Sequence, residues 1–168
     1  TPLIGTLMLL GGNGAVTWSE QRVSSGLAAL IVATVPVWIV LLSGRRPGGA
    51  VLVGLLLGLS GLVVLLGPAR FAGAARVGLV GASVLIGGAL SWSIGSLLAR
   101  RLRLPGSPHA ATAMEMLAGG ALLVILGLAT GEAGAFAVHA VSLRSVLSWA
   151  YLVGAGSLVG FPSYVWLL

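Results

Sequence analysis

Apolar residues run along this chain in six long stretches, at residues 3–18, 24–42, 50–67, 77–98, 108–130 and 145–168. Short gaps between them hold nearly all the charge. The stretches stay apolar all the way round rather than along one helical stripe, which is the pattern of helices surrounded by lipid instead of water. A helix needs roughly 20 such residues to cross the hydrocarbon core, so the pattern predicts about six membrane-spanning helices. Barrels, the other architecture that spans a bilayer, require in-out alternation along each strand, and these runs do not alternate. The predicted fold class is all-α, a polytopic transmembrane helical bundle.

The gaps are SEQRVS, SGRRPGG, residues 68–76, ARRLRLPGS and GEAGAFAVHAVSLR, and all but the first contain the glycines and prolines that end helices. Ser107 followed by Pro108 predicts a firm start for the fifth helix, because serine caps free N–H groups and a first-turn proline has none to lose. Of the nine basic and three acidic residues, only Glu115 falls inside a run. Successive gaps lie on alternate sides of the bilayer. Arg45, Arg46, Arg100, Arg101 and Arg103 therefore share one side, and Arg22, Arg70, Arg76 and Arg144 share the other with Glu20 and Glu132. Basic residues resist translocation, so the first group marks the cytoplasmic face.

Composition narrows the function classes. The chain is 58% hydrophobic and 7% charged, where a soluble domain carries about a quarter charged residues. Its net charge of +6 comes from arginines at run ends. Nucleic-acid binding would need them on one solvated face among aromatics, so no nucleic-acid partner is expected. The absence of cysteine excludes disulfides, thiolate metal sites and cysteine nucleophiles. Two histidines alone make a poor metal site, and neither metal nor cofactor is expected. The opening Thr1-Pro2 offers no signal peptide. That opening, and an end inside an apolar run at Leu168, are expected of a piece of a longer protein.

Four stretches carry a family resemblance. NGAVTWSEQRVSSGLAALIVATVPVW from Asn13, GLLLGLSGLVVLLGP from Gly54, ALSWSIGSLLARR from Ala89 and SLVGFPSYVWLL from Ser157 together resemble the EamA family of the drug/metabolite transporter superfamily. In order and spacing they cover nearly the whole chain. The resemblance implies ten helices in two five-helix repeats, with helices three to eight present here. Residues 1–67 would then hold the last three helices of the first repeat, 68–76 the loop between repeats, and 77–168 the first three helices of the second. Five is odd, so the repeats insert in opposite orientation. The third helix of each repeat is present twice, and GGNG near Gly11 and GAGS near Gly154 share only small residues. The family topology also puts the RR and RRLR gaps in the cytoplasm.

The same resemblance implies a multi-pass inner membrane transporter that exports small organic metabolites or drug-like compounds by alternating access. Its partners would be the bilayer and a small-molecule substrate. A non-transporting scaffold or assembly partner is the competing class. Small-xxx-small spacings such as Gly54 to Gly58 and Gly156 to Gly160 favour close helix packing within the bundle, with homodimerisation as the alternative use.

Glu115, roughly 10 Å along the fifth helix, is the first functional suspect, because a carboxylate at that depth is expensive. It binds protons or a cationic part of the substrate, or it serves assembly alone beside Arg100 or Arg103. Asn13, mid-run among glycines, either contacts substrate or ties helices together. Pro36 predicts a helix kink. Among the aromatics, Trp92 and Tyr164 are the lining candidates, with Ser96 and Ser157 as polar neighbours. Trp18 and Trp38 lie near run ends and are expected as interface anchors. The string Gly58-Leu59-Ser60-Gly61 resembles the serine motif of rhomboid-type proteases but lacks a positioned base, and no enzyme is expected.

Overall fold

A computed structural model describes residues 2–44, 46–66, 79–102, 108–135 and 141–167. Residues 68–76, expected as the loop between repeats and carrying Arg70 and Arg76, lie outside the described residues, as do Arg45, Arg103, Ser107 and His139. The described residues are mostly helical, with no strand among them, and the protein is an all-α membrane helical bundle. We name its helices in chain order: α1 over 2–20, α2 as Ser25–Ser43, α3 as Gly49–Leu66, α4 as Leu79–Arg101, α5 as Pro108–Ala129 and α6 as Leu143–Leu167. A short turn of helix, Glu132–Ala135, follows α5.

Four of these, α2, α4, α5 and α6, are long and apolar enough to cross a bilayer. The 18 residues of α3 would reach about 27 Å at 1.5 Å each. Large apolar side chains such as Leu56, Leu57, Val64 and Leu79 point outward, where water would penalise them and lipid would not.

Three local features set helix ends. Ser24 accepts from the Leu27 N–H to start α2, and Ser142 accepts from the Ser145 N–H to start α6. Gly44 ends α2 at φ 66, a left-handed conformation that glycine enters without a Cβ penalty. Arg100 and Arg101 close α4, where cations favour the helix C-terminus.

α2 is broken. Ser25–Val32 and Val35–Ser43 are separate helices, with Pro36 in the first turn of the second. Proline has no N–H for the carbonyl four residues back, and its ring crowds that carbonyl, so the break at Ala33 and Thr34 sits just upstream of it. The Thr34 hydroxyl donates to the Ile31 carbonyl at 2.6 Å and accepts the Trp38 indole N–H at 3.0 Å, filling the interruption with polar bonds.

α1 is the centre of the bundle, packed on α4 and α5. Against α4, Gly81 meets Val23, Gly88 meets Ala15, and Gly95 meets Met8, so the two helices run antiparallel. Against α5, Gly5 meets Glu115 and Gly14 meets Leu123, so those two run parallel. Glycine permits these approaches because a side chain at several of them would overlap backbone. A Cβ on Gly119 would lie 2.7 Å from the Gly5 carbonyl oxygen. The packing glycines are therefore not the ones singled out from sequence. A Cβ added at Gly54, Gly58 or Gly156 would have nothing within 4 Å, and one at Gly160 would meet only its own helix. The signal that does mark the interface is the seven-residue interval of Gly81, Gly88 and Gly95, all buried.

α2 lies parallel to α4, since Ala28 clusters with Leu85 and Ser93 donates to the Val35 carbonyl at 3.3 Å. Their C-terminal ends share a face. Arg46, exposed just beyond α2, thus lies on the same side as the exposed Arg100 and Arg101.

Candidate functional site

Two helices in this bundle depart from α geometry. Thr6–Asn13 in α1 and Leu152–Gly160 in α6 are π-helical, with wider i to i+5 bonding. Such stretches are frequent at functional sites. Both are rich in glycine and small residues. α6 packs on α4 with Phe161 against Trp92 and Tyr164 against Ser96, which makes it parallel to α4 and so antiparallel to α1.

Between these two stretches lies a cavity of about 550 Å³, walled by α1, α4, α5 and α6. Asn13, Trp92, Ser157 and Tyr164 line it, four residues that the sequence had singled out. A comparable recess of about 610 Å³ on the outer face of α6 has walls from that helix alone and encloses nothing.

The aromatic wall is fixed by its own hydrogen bonds. Trp92 Nε1 donates to the Tyr164 hydroxyl at 3.2 Å, and that hydroxyl is 2.7 Å from Ser96 Oγ, which also donates to the Trp92 carbonyl at 2.8 Å. Phe161 meets Trp92 edge to face at 6.1 Å between centroids. Ser96 is fully buried behind this wall and acts by holding Tyr164. Replacing Tyr164 by Phe leaves the indole N–H without its acceptor, a loss of about 1–3 kcal/mol. The expected readout is a lower Tm for the purified protein, together with a red-shifted indole emission as water reaches Trp92.

Three other polar side chains facing the cavity, Asn13, Thr17 and Ser157, make no hydrogen bond among the described residues. Hydroxyls in membrane helices usually return to a carbonyl three or four residues earlier, as Ser60, Ser83, Ser163 and Thr130 do here. Ser93 does so too, to the Ala89 carbonyl at 2.7 Å. Among the described residues Thr17, Ser157 and the buried Ser19 make no such bond, and the first two line the cavity. The Asn13 amide likewise makes no hydrogen bond among the described residues, so the helix tie foreseen as one reading of Asn13 is not formed there. Ser91 supplies a tie instead, donating to the Leu7 carbonyl inside the π stretch of α1 at 2.7 Å.

Glu115 stands apart from this group. It is fully buried against α1 beside Gly5, and its neighbour Met116 takes the cavity position. Other described aromatics point elsewhere. Trp149, Tyr151 and Trp166 face outward, and Trp18 stacks on the Arg22 guanidinium at 3.6 Å, as suits residues near a membrane surface. Ser60 donates to the Leu57 carbonyl on an exposed helix face.

Thr17, Met116, Gly156 and Phe161 were missed from sequence. Thr17 lies four residues beyond Asn13, and Phe161 four beyond Ser157, spacings that place each on its partner's helix face. Gly156 leaves open space in place of a side chain.

Comparison with known proteins finds no matching family model and no matching solved structure. The chain is 36% identical to a protein of Escherichia coli strain K12 named as the uncharacterized inner membrane transporter YedA, over 99% of this chain and 53% of that protein. Its counterparts in the O6:H1 and O157:H7 strains match equally. The chain thus spans about half the length of the curated relatives it matches.

Proposed function

We propose that this chain forms part of an EamA-type secondary transporter that moves a small organic metabolite or drug-like compound outward through the cavity between α1 and α6. The protein is a multi-pass inner membrane protein, as its spans and its similarity to inner membrane transporters indicate. The observation that carries the transport reading is the set of uncommitted polar groups, Asn13, Thr17 and Ser157, on a mostly apolar wall with Trp92 and Tyr164. Small-molecule sites combine an apolar lining with a few placed polar groups in this way.

In this reading residues 1–67 and 77–168 belong to two inverted repeats. The support is that α1 and α6, third helices of their repeats, run antiparallel and both carry a π-helical stretch beside the cavity. Alternating access follows if the two repeats rock about that site. The test is solute-dependent stabilisation of the purified full-length protein, screened with a metabolite library. A transporter gains stability from its solute by mass action, and a scaffold gains none from any of them.

Proton coupling is a separate part of the proposal and rests on Glu115, a carboxylate buried within α5. In proteoliposomes an imposed pH gradient should drive solute flux in the wild type, and Glu115→Gln should remove that dependence. Flux that ignores the gradient, or a variant with unchanged rate and pH profile, would leave Glu115 a role in assembly only.

A further inference from the structure

A smaller cavity of about 240 Å³ lies behind the first, and Asn13, Val16 and Trp92 belong to both. Its other walls come from Val32 and Val35, on either side of the α2 break, and from Gly88 and Ala89 of α4. Ser93 donates to both the Ala89 and the Val35 carbonyls, at 2.7 and 3.3 Å, which pins the broken helix to α4 at this point. The Trp92 N–H is committed to Tyr164, so the indole presents an apolar surface here. Asn13 is the one polar side chain in the lining.

Size and chemistry together restrict the occupant. Apolar cavities of about 150 Å³ stay dry and accept benzene. The present volume therefore has room for one ring of that order, with the Asn13 amide at its mouth as donor and acceptor. We propose that this cavity is the apolar compartment of a continuous ligand site. The ligand carries one compact, ring-sized apolar group seated beneath the α2 break, and its hydrogen-bonding part extends past Asn13 toward Thr17 and Ser157. The inference rests on the transport reading and narrows its substrate class to amphipathic molecules of this shape.

The compartment is tested with 4-fluorophenol as the probe, titrated into the detergent-solubilised full-length protein and followed by its fluorine resonance. Saturable binding is expected. Ala89→Leu and Val32→Phe fill the cavity from opposite walls and should each weaken it at least tenfold, and Leu158→Phe on the outer face of α6 should leave it unchanged. Val32 is partly exposed and tolerates the larger ring even where Ala89→Leu fails to fold. Absence of saturable binding in the wild type, or equal binding in both filled variants, overturns the compartment. Binding with the expected pattern in a protein that moves no solute supports the compartment and overturns the transport reading.

Discussion

Gly119→Val should lower the Tm of the full-length protein by on the order of 10 °C, while Gly120→Val, one residue along the same helix, should change it little. A Cβ at Gly119 would lie 2.6 Å from Leu9 Cβ and 2.7 Å from the Gly5 carbonyl oxygen, whereas one at Gly120 meets nothing within 4 Å. Backbone cannot step aside as a flexible side chain can, so α1 and α5 must separate. Overpacking of this kind costs about 1–3 kcal/mol or more. Lipid offers apolar surfaces no drive to associate, so the close contact itself is what holds this pair. Thermal unfolding of both variants in one detergent checks the contrast. Equal losses would mean that α1 does not pack on α5 as described.

Asn13→Leu should weaken solute binding about tenfold while leaving the fold as stable as before. The two side chains share one branched skeleton of four heavy atoms, and the amide makes no hydrogen bond among the described residues, so nothing inside the bundle loses a partner. What is lost is the bond to solute, worth about 1 kcal/mol or more, where 1.4 kcal/mol is a factor of ten. The pair of readouts decides between the alternatives for this residue. A helix tie predicts a lower Tm, and a solute contact predicts lower affinity at constant Tm.

The membrane architecture was legible because it rests on charge placement, which needs no tertiary information. The grouping of Arg46 with Arg100 and Arg101 follows from counting gaps, and the parallel course of α2 and α4 puts them together for an independent reason. The aromatic and polar members of the candidate site were legible one by one, since Trp92 lies deep in its run while Trp18 and Trp38 lie near run ends. Their convergence was not. It depends on α6 lying against α4, which no local pattern encodes.

Glu115 shows what run position leaves open. Successive helical residues point about 100° apart, so a residue's depth in a run says nothing of its face, and Met116 rather than Glu115 reaches the cavity. The glycines teach a related lesson. Gly54 and Gly58 have the spacing of a packing pair and pack on nothing here, while the seven-residue series on α4 carries the main interface. The π stretches were beyond reach altogether. GGNG and GAGS share only small residues, and no local pattern in them marks the wider bonding.

Transport through the space between the two π stretches requires that it open to each side of the membrane in turn. Ser157→Cys in a full-length protein whose other cysteines have been replaced tests this without knowledge of the solute. A membrane-impermeant thiol reagent should modify this position from either side of oriented vesicles, while Ser163→Cys, on the exposed face of the same helix, stays unmodified. Modification of Ser157→Cys from one side only, or from neither, would show that the space is not a solute path.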